Sequence, residues 1–356
     1  MTIVNVKDLQ NGDILAEDVY RGKTLMLKKG SILSKLFISK LRQWDITSVE
    51  INNENGNNPV SEKVINNNNI PLKFPPDKSE LERDFLNNLS YVAYEYRYGI
   101  ALHELTDYQW LENLFIKLMS DTTTCELMEK LGNWDFYSYK HSFDVFILGS
   151  LLAKKLEIDN IENFATGCLL HDIGKLIVPK SVLNKPSRLN LEEYNLIKNH
   201  TVFGYDLLKQ HNFSEDAAIL AKYHHERVNG SGYPDGLKNT EITDIVKILS
   251  IVDVYSALTL DRPYREAYGS ATAEKILINE CKMVGNYYFY NFFKMLDIFP
   301  LDTLVELTNG THAKIIDIDD KLPTFPILEG TNDSNQFKKY EIPLDRSIKV
   351  KNVIEF

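Results

Sequence analysis

Cysteine is scarce in this 356-residue chain, with three residues at 125, 168 and 281 and no CxxC spacing. An odd number without paired spacing argues against a disulfide framework and a thiolate zinc site, and leaves reduced thiols in a core. Long apolar runs are missing too. None reaches the roughly 18 residues that a spanning helix requires, and the opening MTIVNVKDLQNGD lacks the basic-then-apolar profile of a secretory leader. The expectation is a cytoplasmic protein with no membrane segment. Positive charge is also in deficit: 40 Lys and Arg stand against 50 Asp and Glu, a formal charge of -10. Binding to DNA or RNA draws most of its affinity from a basic face, so no nucleic acid polymer is expected as a partner. A small phosphate-bearing ligand stays open if basic residues cluster locally. No internal repeat is visible.

The composition, 44% hydrophobic and 25% charged, is that of a soluble globular protein, and the length suits more than one folding unit. Residues 1–52 mix short β-rich pieces, DILAEDV and TLMLKKG, with the amphipathic SKLFISKLRQW and the strand-like SVEI, which reads as a small α+β module. Residues 53–78 are rich in Asn and Pro without a period, and read as a linker. Residues 79–298 carry helical spacing throughout and form the main domain. Residues 299–356 return to short β-like pieces, TLVELT, AKIIDI, FPILEG and SIKVKNVIEF, around an Asn309-Gly310 turn, and read as a small β appendage. The fold class expected is mainly α.

Five of the eight histidines fall in one ordered series in the helical segment: His141, the pair His171-Asp172, His200, and the pair His224-His225. Asp253 completes it inside KILSIVDVYSAL. Imidazole nitrogen and carboxylate oxygen suit Fe, Mn or Zn, and the set exceeds what one catalytic zinc needs, so two ions are inferred. An aspartate directly after a histidine could bridge two ions about 3.5–4 Å apart, as in two-metal phosphoesterases. Asp253 lies in an apolar helix, where a charge costs several kcal/mol unless paired or coordinated. A lone histidine would more readily be a core imidazole with a satisfied hydrogen bond; the ordered set is what outweighs that reading.

Lys175 sits one turn after His171, within reach of a phosphate held at the metals or of a leaving oxygen. Arg262 and Arg265 follow the helix of Asp253, and guanidinium forks suit phosphate oxygens or a guanine edge. Lys185 and Arg188, in LNKPSRL, could line the entrance. Glu226 and Arg227 read as a supporting pair, and the glycines and Pro234 after them as a rigid turn.

Together HDIGK (171–175), HHERVNGSGYP (224–234) and DVYSALTLDRPYR (253–265) resemble the HD-GYP branch of the HD hydrolase superfamily, in order from about Tyr137 to Tyr288. The resemblance implies an all-helical HD-type catalytic domain with a two- or three-metal centre that hydrolyses cyclic di-GMP to pGpG or onward to GMP. It places the metal ligands on His141, His171, Asp172, His200, His224, His225 and Asp253. It places the phosphate-contacting lysine on Lys175 and the substrate-binding basic pair on Arg262 and Arg265. Some members carry flanking modules like those here. Three positions depart from the pattern. Asn229 stands where the loop usually has Asp, which keeps a turn-forming side chain. Tyr137 stands where three-metal members can offer a glutamate, which favours two ions, Fe or Mn, over three. Asp144 replaces a frequent arginine, makes its helix more acidic, and is expected to shift metal affinity.

The expected chemistry is hydrolysis at a two-metal centre, with Asp172 bridging, Lys175 steadying the phosphorane charge or the leaving group, and Arg262, Arg265 and Lys185 holding substrate. The rivals are a receptor that binds cyclic di-GMP without cleaving it, and a hydrolase of another cyclic dinucleotide such as cyclic GMP-AMP. The Gly232-Tyr233-Pro234 loop is expected to position the site or dock a protein partner, and the flanking modules to pack or form a homodimer contact.

Overall fold

The computed structural model describes residues 2–10, 13–21, 24–27, 29, 33, 37–38, 41–42, 45–52, 76–92, 97–102, 104–185, 187–261, 267–281, 286–319, 322–331, 337–341 and 350–355. The linker stretch 53–75 and the basic pair Arg262 and Arg265 lie outside them. The chain is mainly α with small β parts. It separates into two compact units, Met1–Glu95 with His103–Glu129, and Tyr96–Leu102 with Lys130–Phe356.

In the first unit, β1 (Thr2–Asn5) pairs antiparallel with β4 (Ser48–Ile51), and β2 (Val19–Arg21) with β3 (Thr24–Leu27). Between them Phe37, Ile38 and Leu41 are helical and buried, as the amphipathic spacing requires. Helix α1 (Lys78–Val92) opens on a capping box. Asp77 Oδ1 accepts from the Glu80 amide at 2.9 Å while Glu80 Oε2 accepts from the Asp77 amide at 3.1 Å. Leu81, Phe85, Leu89 and Val92 form one apolar stripe on α1, and Tyr108, Leu111 and Phe115 face it from α2 (Leu105–Met119). Phe85 is the wedge, with ring centroids 5.7 Å from Tyr108 and 5.5 Å from Phe115. Cys125, on α3 (Thr122–Trp134), is a buried free thiol that burial pushes up to about 11.

The second unit is built around α4 (Phe136–Lys155), in which every residue from His141 to Ala153 is buried. Asp135 caps it, accepting from the Ser138 amide at 3.0 Å. The reason for all-round burial is that α5 (Ile161–Leu170), α10 (Asp244–Thr259) and α12 (Asn286–Leu296) all pack on α4. Tyr255 of α10 is sandwiched edge-on by Phe292 and Phe293 at 5.0 and 5.7 Å. After α5 come a 3-10 turn (Ile173–Ile177), the short α6 (Lys180–Leu183), α7 (Leu191–Lys198), α8 (His200–Gln210) and α9 (Glu215–Tyr223). Gly174 lets the 3-10 turn reach α8: a Cβ there would lie 1.8 Å from the His200 carbonyl oxygen. Helix α9 packs on α5, α8 and α10, which closes the bundle over the histidines.

Beyond α11 (Ser270–Cys281) and α12 lies a five-stranded antiparallel sheet of order β8-β7-β6-β5-β9. Its strands are β5 (Leu304–Leu307), β6 (His312–Asp319), β7 (Leu322–Thr331), β8 (Phe337–Glu341) and β9 (Val350–Glu355). Asn309-Gly310 forms the turn between β5 and β6, with Asn309 Oδ1 accepting from the Thr311 amide at 3.1 Å. Strand β8, FKKYE, is not among the expected pieces. Three charged residues in five hide its alternation, and pairing with β7 from Ile327↔Glu341 to Thr331↔Phe337 makes it a strand.

Candidate metal centre

Five elements of the second unit deliver seven side chains to one place. His141 comes from α4, His171 caps the end of α5, and Asp172 follows it. His200 is the first residue of α8, His224 and His225 leave the end of α9, and Asp253 comes from α10. His141, His171, His200, His224, Asp172 and Asp253 are buried, and His225 is partly open. By contrast His211 and His312 are exposed.

The helix ends fix the imidazole tautomers. His171 Nδ1 lies 2.8 Å from the Cys168 carbonyl, His200 Nδ1 2.6 Å from that of Ile197, and His224 Nδ1 3.0 Å from that of Ala221. A carbonyl only accepts, so each Nδ1 carries the proton and each Nε2 presents a lone pair. Those lone pairs converge. His200 Nε2 and His224 Nε2 stand 3.2 Å apart, acceptor against acceptor, and the buried His171 Nε2 has no hydrogen-bond partner among the described residues. Such an arrangement repels itself unless a cation lies between the nitrogens.

Asp172 spans the set. Its Oδ1 is 3.4 Å from His200 Nε2 and 3.9 Å from His224 Nε2, while its Oδ2 is 3.5 Å from His171 Nε2 and 3.9 Å from His141 Nε2. Asp253 Oδ1 reaches His141 Nε2 at 2.9 Å and Oδ2 lies 3.7 Å from His225 Nδ1. Ligand atoms about 2.1 Å from one ion stand about 3.0 Å apart in an octahedron and about 3.4 Å apart in a tetrahedron. The shorter separations here match those edges. The donors divide into two groups, His200 with His224 and His225, and His141 with His171 and Asp172. These groups are suited to hold divalent metal ions.

The electrostatics point the same way. Burial pulls His200 down to about 4 and His224 to about 3, and holds His171 and His225 below the usual imidazole range. All four are therefore neutral, the form that binds metal. Burial pushes the Asp172 carboxyl up, but Lys175 and the surrounding histidines hold it well below the carboxylate range. Burial pushes the Asp253 carboxyl up as well, but its hydrogen bond to His141 and the neighbouring His225 imidazole hold it well below the carboxylate range.

A cleft of about 440 Å³ opens on this centre, lined by Tyr137, His141, Asp172, Lys175, Asn184, His225, Arg227 and Asp253 among others. Lys175 Nζ donates to Asp172 Oδ2 at 2.5 Å, so its ammonium is at the junction of the two groups. The Lys185 ammonium instead holds both carboxylate oxygens of Glu193, at 2.6 and 2.7 Å, and Asn184 lines the cleft beside it. Tyr137 lies parallel to the His141 ring, 2° off at 6.1 Å.

Arg227 and Glu226 act separately. Glu226, buried, accepts from the amides of Asp235, Gly236 and Leu237 at 2.7–2.9 Å and clamps the loop after the histidines. Arg227 donates to the carbonyls of His224 and Glu226 and lines the cleft, a placement with no signal in its sequence neighbours. Ser256, one turn after Asp253, lies 2.9 Å from His141 Nδ1, and that spacing could have revealed it.

Asp144 corrects an expectation. It does not add free acidity near the histidine cluster, because the Arg97 guanidinium grips it with two hydrogen bonds at 2.6 and 2.5 Å and the Tyr98 hydroxyl donates to it as well. Arg97 is 47 residues away in sequence, so no local pattern announces the pair.

Comparison with known proteins bears on the same region. A profile of the HD domain family matches residues 138–288. The cyclic di-GMP phosphodiesterase of Pseudomonas aeruginosa is 33% identical over 191 residues, 53% of this chain and 46% of that protein. The cyclic di-GMP phosphodiesterase response regulator RpfG of Xanthomonas campestris pv. campestris is 46% identical over 125 residues, 34% of this chain and 33% of that protein. The 3'3'-cGAMP-specific phosphodiesterase 3 of Vibrio cholerae is 34% identical over 133 residues, 37% of this chain and 29% of that protein. The chain thus spans less than half the length of each of these relatives.

Proposed function

We propose, for a chain that belongs through residues 138–288 to the HD domain family and carries its HD-GYP signature, a metal-dependent phosphodiesterase that hydrolyses cyclic di-GMP to pGpG, GMP or both. The observation that carries this reading is the convergence of proton-free Nε2 atoms from His171, His200 and His224 on the two oxygens of Asp172, in the wall of a cleft. Two divalent ions, Fe or Mn by this imidazole and carboxylate donor set, would be held by His141, His171, Asp172, His200, His224, His225 and Asp253. When bound they supply Lewis acidity, which activates water and neutralises phosphate charge.

The protein's own groups do the rest. Asp172, with one oxygen toward each donor group, ties the two together. Burial alone would pull the Lys175 proton off, but the Asp172 carboxylate raises its pKa, so the ammonium stays charged to steady phosphate oxygens or protonate the departing 3′ oxygen. Arg262 and Arg265 are assigned by their motif to hold the substrate, and Lys185, whose ammonium is on Glu193, is given a secondary part. Arg227 is added from its place in the cleft. The loop Gly232-Tyr233-Pro234 is read as a positioning element. The test is anaerobic incubation of metal-stripped protein with a panel of cyclic dinucleotides, with and without Fe²⁺ or Mn²⁺, and chromatography of the products. Cleavage of cyclic di-GMP only with added metal is expected. Equal cleavage without metal would overturn the reading.

The similarity to the Vibrio cholerae protein favours cyclic GMP-AMP as the second substrate to include in that panel. Preferential cleavage of it would keep the centre and change the specificity.

A further inference from the structure

We infer that Tyr233 is a positioning residue for His225, through which the Gly232-Tyr233-Pro234 loop governs metal affinity at the His200, His224 and His225 group separately from the His141, His171 and Asp172 group. The inference rests on the metal-dependent reading above.

His225 differs from its neighbours. His171, His200 and His224 are each oriented by a backbone carbonyl at Nδ1. Among the described residues no carbonyl does this for His225, whose Nδ1 is 3.7 Å from Asp253 Oδ2. A metal-binding imidazole needs something to fix its plane, and that partner commonly sets affinity. Here the task falls to packing. The His225 ring has His224 at 4.0 Å and His200 at 5.2 Å, within its own donor group, and the Tyr233 ring at 4.7 Å, inclined by 38°.

Tyr233 is itself held from three sides. Its amide donates to the His225 carbonyl at 3.3 Å, which returns the loop onto the histidine it serves. Gly232 permits this approach, since a Cβ there would lie 2.4 Å from the Arg227 amide nitrogen and from the Glu226 Cα. Glu226 fastens the far side through three amides, and the Lys198 ammonium lies over the Tyr233 ring at 5.4 Å and over Tyr194 at 4.6 Å. Among the described residues, the ring and backbone contacts of Tyr233 with the donors fall on His225, in one of the two groups.

The experiment is calorimetric titration of the chelator-stripped full chain with Mn²⁺, checked by metal analysis, for the wild type, Tyr233→Phe, Tyr233→Ala, Gly232→Ala and His225→Ala. Tyr233→Phe should match the wild type, because the contact is made by ring faces. Tyr233→Ala and Gly232→Ala should weaken one of two sites about 10–100-fold and leave the other unchanged, as His225→Ala does more completely. Should Tyr233→Ala fail to fold, Gly232→Ala and Tyr233→Leu give the same comparison. Two unchanged sites in these variants, equal weakening of both sites, or loss in Tyr233→Phe would overturn the inference. A wild type that binds no Mn²⁺ would overturn the metal reading itself.

Discussion

Replacing Asp144 by alanine should destabilise the second unit by about 3–5 kcal/mol, the range for removing one partner of a buried ion pair. Arg97 and Asp144 are at most 3% exposed, and the guanidinium makes two hydrogen bonds to the carboxylate and two more to Thr259 Oγ1, at 2.9 and 3.2 Å. Once Asp144 is gone, the buried guanidinium loses its two-pronged carboxylate and has no water to replace it. Loss of that charge pairing, more than the roughly 1 kcal/mol of an ordinary hydrogen bond, sets the size of the effect. At about 2–4 °C per kcal/mol for a unit of this size, the midpoint should fall by about 6–20 °C. Thermal unfolding followed by far-ultraviolet circular dichroism measures the midpoint, and urea unfolding measures the free energy. The double variant Arg97→Met with Asp144→Leu removes the stranded charge as well and should recover most of the stability. A single-variant loss below about 1 kcal/mol, or a double variant as unstable as the sum of the singles, would refute the reasoning. Metal content of folded Asp144→Ala should equal that of the wild type, because Asp144 faces Arg97 and Tyr98.

Three further outcomes are expected. Asp172→Ala should abolish hydrolysis and lower metal content while circular dichroism stays native, and full activity in chelator would contradict the role given to it. The metal-free protein should lose stability as pH falls from about 6.5 toward 4, at up to about 1.4 kcal/mol per pH unit for each histidine. The sign follows from His200 at about 4 and His224 at about 3: in this window the unfolded imidazoles bind protons that the folded ones refuse. Asp172 and Asp253, whose folded carboxyls are depressed, contribute stability above about 3.9 that is lost only below it, so they leave this window to the histidines. A flat urea midpoint between pH 7 and 4.5 would count against neutral buried imidazoles. Glu226→Ala should raise hydrogen exchange at the Asp235, Gly236 and Leu237 amides by about 100-fold, for a local loss on the order of 3 kcal/mol, and unchanged protection would show that the clamp is idle.

The gathering of these histidines and aspartates in one place was legible in the chain because they fall at helix ends or on an apolar helix, where a polar side chain needs a reason to be buried. His171, His200 and His224 each sit at a terminus that offers a free carbonyl three residues back, so sequence position already implies the tautomer. The helical segment and the β-rich tail were legible from their periods, 3.6 and 2. What lay hidden depends on distance along the chain. Arg97 reaches Asp144 across 47 residues and Thr259 across 162, and neither end of that network repeats a pattern. Lys185 looked like a cleft residue from its neighbours, yet Glu193, eight residues on, takes its ammonium. Local charge patterns specify which groups are basic, and packing decides what they face.

The doubled histidine shows how one short segment can serve two ends. His224 finishes α9, donates from Nδ1 to helix carbonyls, and is rigid before any ligand arrives. His225, one residue later, has left the helix and among the described residues meets no such carbonyl, so its ring is packed by its neighbours His224 and His200 and by the loop that returns over it. That difference gives a physical reason for Gly232, Tyr233 and Glu226 to follow within eight residues. The glycine permits the approach, the aromatic ring makes the contact, and the carboxylate closes the loop on three amides. A cluster built only from helix ends would be held by secondary structure alone; placing His225 under a loop makes the orientation of that imidazole depend on the loop as well.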